Sequence, residues 1–130
     1  MTTVIAIAAG GALGALARHF LAGWVSSLAG GGFPWGIFVA NILGSFLMGV
    51  LVEFFARVGA PFAEARAFLA VGMLGAFTTF STFSLDVVLL IERGQLLLAG
   101  AYMLGSVVLA VGGLYLGMAL VRLATGGALS

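Results

Sequence analysis

The sequence predicts an all-α integral membrane protein of four transmembrane helices, the third of them broken. Three observations carry that reading. Of the 130 residues, 63% are hydrophobic and 7% are charged, whereas a soluble domain carries roughly a quarter charged residues. This is more apolar surface than a water-soluble core of that size can hide. The apolar residues fall into four runs, about 3–25, 33–57, 62–92 and 95–123, each long enough to cross a hydrocarbon layer of about 30 Å. Glycine is abundant at 21 residues, which lets helix backbones approach closely, as a tight membrane bundle requires. We read one transmembrane domain over residues 1–130, with no soluble domain, linker or internal repeat.

The same composition excludes several functions. Without cysteine there is no disulfide, thiolate nucleophile or thiol-bound metal, and one histidine, His19, cannot form a histidine cluster within one subunit. A net charge of +1 gives no electrostatic footprint for nucleic acid. No nucleophile–base pair or metal-ligand spacing is present, so an enzyme is not expected.

The first run opens on TTVIAIAAGG, without the positive region of a signal peptide, and is read as retained. Gly10 and Gly14 set a small-residue packing face, and Arg18 and His19 interrupt the run near its end. Gly30-Gly31-Gly32 makes the loop, bracketed by Trp24 and Trp35 as interfacial anchors. In the second run, Pro34 suits a helix's first turn. Gly36, Ala40 and Gly44 share a face with or beside Asn41, and Glu53 and Arg57 close the helix as an i,i+4 pair. Gly59-Ala60-Pro61 is the next turn.

The third run is too long for one straight span, since about 30 residues of helix measure about 45 Å. It tilts strongly, extends beyond the membrane, or breaks. Gly72, Gly75 and the adjacent Thr78 and Thr79 are poor helix formers and favour a break near 75–79. A break frees backbone carbonyls at membrane depth, and these need protein, water or an ion as partner. Arg93-Gly94 makes a short turn. In the fourth run Gly105, Gly112, Gly113 and Gly117 are packing positions, and Tyr102 and Ser106 share a face. The tail TGGALS is read as frayed.

Orientation follows the Lys/Arg bias of the two sides. Arg57, Arg66 and Arg122 fall on one side and Arg93, with Arg18 if counted, on the other. So weak a bias allows insertion both ways and pairing of subunits of opposite orientation. One-sided labelling of the C-terminus in intact cells would count against this.

The stretch GAFTTFSTFS, residues 75–84, stands out within this apolar frame. It places Phe80 and Phe83 among Thr78, Thr79, Ser81, Thr82 and Ser84, although an unsatisfied polar group at membrane depth costs several kcal/mol. Either the hydroxyls bond back to their own helix, expected most of Ser84, or something polar passes them. Taken alone, Phe80 and Phe83 read as packing residues, and Asn41 equally as a clasp between helices or as part of a polar path. Asp86 is a functional candidate by its depth, with an ion pair to an arginine such as Arg18 as the competing reading.

GGALGALAR (10–18), FPWGIFVANILGSFLMG (33–49) and GMLGAFTTFSTFS (72–84) resemble the Fluc (CrcB) family of fluoride channels, over most of the chain. The resemblance implies a four-helix subunit in an antiparallel, dual-topology homodimer of the bacterial plasma or inner membrane. It implies passive, fluoride-selective export that lowers the toxicity of cytoplasmic fluoride, through two pores at the subunit interface. Phe80 and Phe83 would then form the phenylalanine box, Asn41 would line the pore, and Ser81 and Thr82 would lie in the hydroxyl-rich segment with Thr79 and Ser84. Tyr102 and Ser106 match polar positions of the fourth helix. A central Na⁺ would rest on the backbone carbonyls of Gly75 and Thr78. Arg18 matches an early arginine of the family, and Asp86 an acidic position that is usually glutamate. Ile37 stands where the family often has threonine, and Ala110 where some members carry serine, two departures that leave the length of the polar track open. The competing functions are a small multidrug-type proton-coupled exporter and a non-transporting membrane subunit. The exporter needs a carboxylate deep in the first helix, and residues 3–25 contain none.

Overall fold

The computed structural model describes residues 1–58 and 63–126. The turn expected at Gly59-Ala60-Pro61, the start of the third run at Phe62 and the last four residues of the tail lie outside them. The described residues are helical in four long stretches, each apolar enough to cross a membrane. Helix α1 is Thr2–Ala29 and α2 is Trp35–Val58. The third span begins as Ala63–Arg66, winds as a π-helix over Ala67–Leu74 and closes with an α-helical turn, Gly75–Phe77; residues 63–77 together are α3. Helix α4 is Phe80–Glu92 and α5 is Leu96–Ala124.

The element ends follow local chemistry. Pro34 lies just before α2 rather than inside its first turn, and its carbonyl accepts from the Phe38 N–H at 3.1 Å. Between α4 and α5 the chain reverses at Gly94, whose φ of 76° is open to glycine at little cost.

In a bilayer the hydrophobic effect does not drive helix association, so close backbone contact must do so. Helix α1 lies on α3 through Gly10 and Gly14, where a Cβ would overlap the carbonyls of Phe68 and Met73. Helix α2 lies on α5 through Gly49 and Gly117, set against the carbonyls of Leu114 and Phe46. The expected face of Gly36, Ala40 and Gly44 is buried, with Gly36 on α1 and Gly44 on Phe77 and Thr78. Gly112, expected as a packing position, faces open space. Replacing Gly14 with Ala is therefore expected to destabilise the fold by about 1–3 kcal/mol, because backbone must move to admit the methyl group. Gly112→Ala should leave it unchanged. Thermal denaturation of the two variants in detergent checks this.

Two buried clusters hold the frame. Ala40, Leu74 and Phe77 join α2 to the end of α3, and Val87, Leu90, Ala99 and Tyr102 join α4 to α5. At the membrane edge Glu53 receives Arg57 at 3.3 Å, as the i,i+4 spacing suggests, and also Arg122 at 3.1 Å. The second contact ties the end of α2 to the end of α5. Glu64 accepts from the Thr3 hydroxyl, and Arg66 stacks over the Phe55 ring.

Candidate functional site

The site grows out of the two residues between α3 and α4. Thr78 (φ −88°, ψ 156°) and Thr79 (φ −150°, ψ 124°) are both extended. β-Branched threonines are at ease there, and Thr79 doubles as the N-cap of α4, its Oγ1 accepting from the Thr82 N–H at 3.2 Å. Asn41 of α2 supplies what the helix no longer does. Its Oδ1 accepts from the Thr79 N–H at 2.8 Å and its Nδ2 donates to the Thr79 carbonyl at 3.2 Å. One side-chain amide thus satisfies both backbone groups of one extended residue. Asn41 is a clasp, and its second N–H remains available.

These bonds leave particular carbonyls without their helical donors. In an unbroken helix the Gly75 carbonyl would accept from the Thr79 N–H, and the Thr78 carbonyl from the Thr82 N–H. The first goes to Asn41 and the second to Thr79 Oγ1. Ala76, between them, is served by Arg18, whose Nη1 donates to its carbonyl at 2.9 Å. Arg18 therefore does not pair with Asp86: it sits at the negative end of α3, where a cation is favoured. Asp86 instead accepts from the Tyr102 hydroxyl at 3.0 Å.

Beside the extended pair lies a cavity of about 240 Å³. Asn41 and Ser45 line it from α2, Thr78, Thr79, Phe80 and Phe83 from the third span, and Ser106, Val107 and Ala110 from α5. None of these side chains is ionisable. Phe80 is 79% exposed, so the cavity is walled by this chain on one side and bare on the other. The Phe80 and Phe83 rings lie 5.6 Å apart between centroids, and Phe83 rests against Tyr102 at 5.0 Å. Ser106 Oγ is buried and has no hydrogen-bond partner among the described residues, a costly state unless the site itself provides one.

Of the residues singled out in sequence, Asn41, Thr78, Phe80, Phe83 and Ser106 meet here. Ser81, Thr82 and Tyr102 do not line this cavity. Ser81 Oγ lies 3.4 Å from Thr79 Oγ1. Thr82 faces a second cavity of about 470 Å³, shared with Arg18, His19 and Asp86. The Ser84 hydroxyl bonds back to the Phe80 carbonyl at 2.9 Å, as expected, and Thr78 does the same to Leu74 at 3.2 Å. Ser45 was missed, though its place one helical turn after Asn41 puts it on the same face. Among the described residues no group of three or more His, Asp or Glu converges.

A family model described as CrcB-like protein, Camphor Resistance (CrcB), matches residues 5–118. The chain is 51% identical over 124 residues to a fluoride-specific ion channel FluC of Rhodospirillum centenum, covering 95% of this chain and 98% of that protein. It is 48% identical over 122 residues to one of Agrobacterium fabrum, covering 94% and 98%. It is 51% identical over 122 residues to one of Nitrobacter winogradskyi, covering 93% and 96%. With four spans and likeness along nearly its whole length to bacterial relatives, this multi-pass membrane chain belongs to the CrcB family.

Proposed function

We propose that the chain is a fluoride-specific passive ion channel that lets cytoplasmic fluoride leave the cell and so lowers its toxicity. The observation that carries this reading is the uncharged cavity in which the unpartnered Ser106 hydroxyl meets the rings of Phe80 and Phe83. Fluoride is small and strongly hydrated, so a pore must replace its water without holding it fast. Hydroxyl and amide N–H groups donate to it, and aromatic ring edges are electropositive. The N-terminus of α4, next to Phe80, adds the positive end of a helix dipole. An apolar wall without lysine or arginine gives a larger, softer anion little to bind. The names of the relatives, fluoride-specific ion channel FluC, point to the same ion.

The site is open on one face, where Gly75, Phe80 and Ser81 are exposed. A second copy in the opposite orientation completes it, giving two pores per antiparallel dimer. The near-even arginine balance supports that pairing. The break in the third span serves both ions: its carbonyl end suits a cation and its N–H end an anion. The carbonyls of Gly75 and Thr78, deprived of their helical donors, fit a central Na⁺. When bound, that ion supplies fixed positive charge between the two copies. Because the Thr78 hydroxyl is committed to Leu74, Thr78→Ala is expected to keep the ion. Atomic emission on purified protein dialysed into potassium salt checks this, and loss of sodium would shift the ligand from carbonyl to hydroxyl.

The direct test of the channel is reconstitution of this polypeptide alone into liposomes. A fluoride electrode should record rapid release, with a chloride electrode flat. Vesicles that hold fluoride as well as protein-free ones would overturn the reading.

A further inference from the structure

We infer that Ser45 is a fluoride-facing donor of this channel, standing in for the hydroxyl that α5 lacks at Ala110; the inference rests on the fluoride reading above. Helices α2 and α5 run in the same direction, and their register is visible where Gly105 faces the Phe38 ring and Gly113 the Ile42 carbonyl and Phe46. On that register Ser106 comes first along the wall, Asn41 and Ala110 follow about one turn further on, and Ser45 stands about one turn beyond them. All four line the same space.

The donors along this wall differ. Ser106 Oγ is unpartnered, and Asn41 keeps one N–H after clasping Thr79. The threonines add little, since the Thr78 hydroxyl donates to Leu74 and the Thr79 hydroxyl lies within reach of Thr82 and Ser81. At Ala110 α5 offers only a methyl group. Without Ser45, an ion moving one turn beyond Asn41 would leave its last donors behind. A helical serine usually returns its hydroxyl to the carbonyl four residues back. Ser84 does so here. Ser45 makes no such bond among the described residues, which leaves its O–H for the cavity.

The experiment compares four proteins in the liposome efflux assay: wild type, Ser45→Ala, Ala110→Ser, and the double variant. Ser45→Ala is expected to slow fluoride release by about fivefold, the loss of roughly one neutral hydrogen bond. Ala110→Ser in the Ser45→Ala background should restore part of the rate, because it returns a hydroxyl donor to the same cavity about one turn from Ser45. A merely structural role for Ser45 would not be rescued from the opposite helix. Wild-type flux in Ser45→Ala, or a loss that Ala110→Ser leaves untouched, overturns the inference while the channel itself stands. Wild-type protein that releases no fluoride removes the channel reading, and this inference with it.

Discussion

Replacing Phe80 with Ile is expected to slow fluoride release from liposomes by up to about tenfold, with little change in the stability of the subunit. A tenfold change corresponds to about 1.36 kcal/mol at the barrier, the upper end of the about 0.5–1.5 kcal/mol that the same ring-edge electrostatics contribute in an aromatic pair. Isoleucine keeps the bulk and the apolar character but has no electropositive rim, so the substitution removes the ring's electrostatics while nearly preserving its volume. Phe80 is the cleaner of the two positions because 79% of its surface is free of the subunit, and the subunit's own packing hardly depends on it. Phe83 is half-buried against Tyr102 and packs on the cluster of Val87, Leu90 and Ala99. Phe83→Ile should therefore slow release by a similar factor and also lower the melting temperature. Efflux by fluoride electrode, with size-exclusion chromatography as the control for assembly, separates these outcomes. Wild-type rates in both variants would remove the rings from the ion's path.

Asn41→Asp should have the larger effect. The two side chains have nearly the same shape, but a carboxylate only accepts. It can still receive the Thr79 N–H, yet it presents an oxygen to the Thr79 carbonyl where Asn41 donates at 3.2 Å. An unsatisfied buried acceptor costs about 1–3 kcal/mol, and the new negative charge would stand in the cavity wall and repel an anion. Together, a penalty of about 2–3 kcal/mol gives a reduction of roughly 30- to 150-fold in fluoride flux. Asn41→Ala loses both bonds to Thr79 without adding charge, so its fall in flux should be smaller and its loss of thermal stability comparable. The order of the two variants tests the dual role. Equal flux in both would mean that Asn41 holds the third span in shape and nothing more, and undiminished flux in Asn41→Asp would take it out of the conduction path altogether.

Much of the frame was legible along the chain because a membrane leaves few choices. Long apolar runs must be helical to satisfy their backbone, and turns fall where glycine and charge collect. Ser84 could be assigned from spacing alone, since a helical serine finds a carbonyl four residues back. The glycine stripes could be seen, but Gly49, with a backbone neighbour, and Gly112, with open space, are the same residue type in similar surroundings. Only the rotation of α5 against α2 tells them apart. Likewise Arg18 and Asp86 invite pairing by charge, whereas the folded chain sets Arg18 on the Ala76 carbonyl and Asp86 beside Tyr102.

The amino-acid order is sufficient for four apolar helices, a hydroxyl-rich stretch in the third and the family to which they belong, because those depend on local composition and on motifs read in line. It does not reveal that Asn41 replaces the helical partners of Thr79, that the Gly75 carbonyl loses its donor as a result, or that Ser45 and Ser106 share a cavity with Phe80 and Phe83. Those contacts join residues tens of positions apart, and they exist only once three helices have settled into one register.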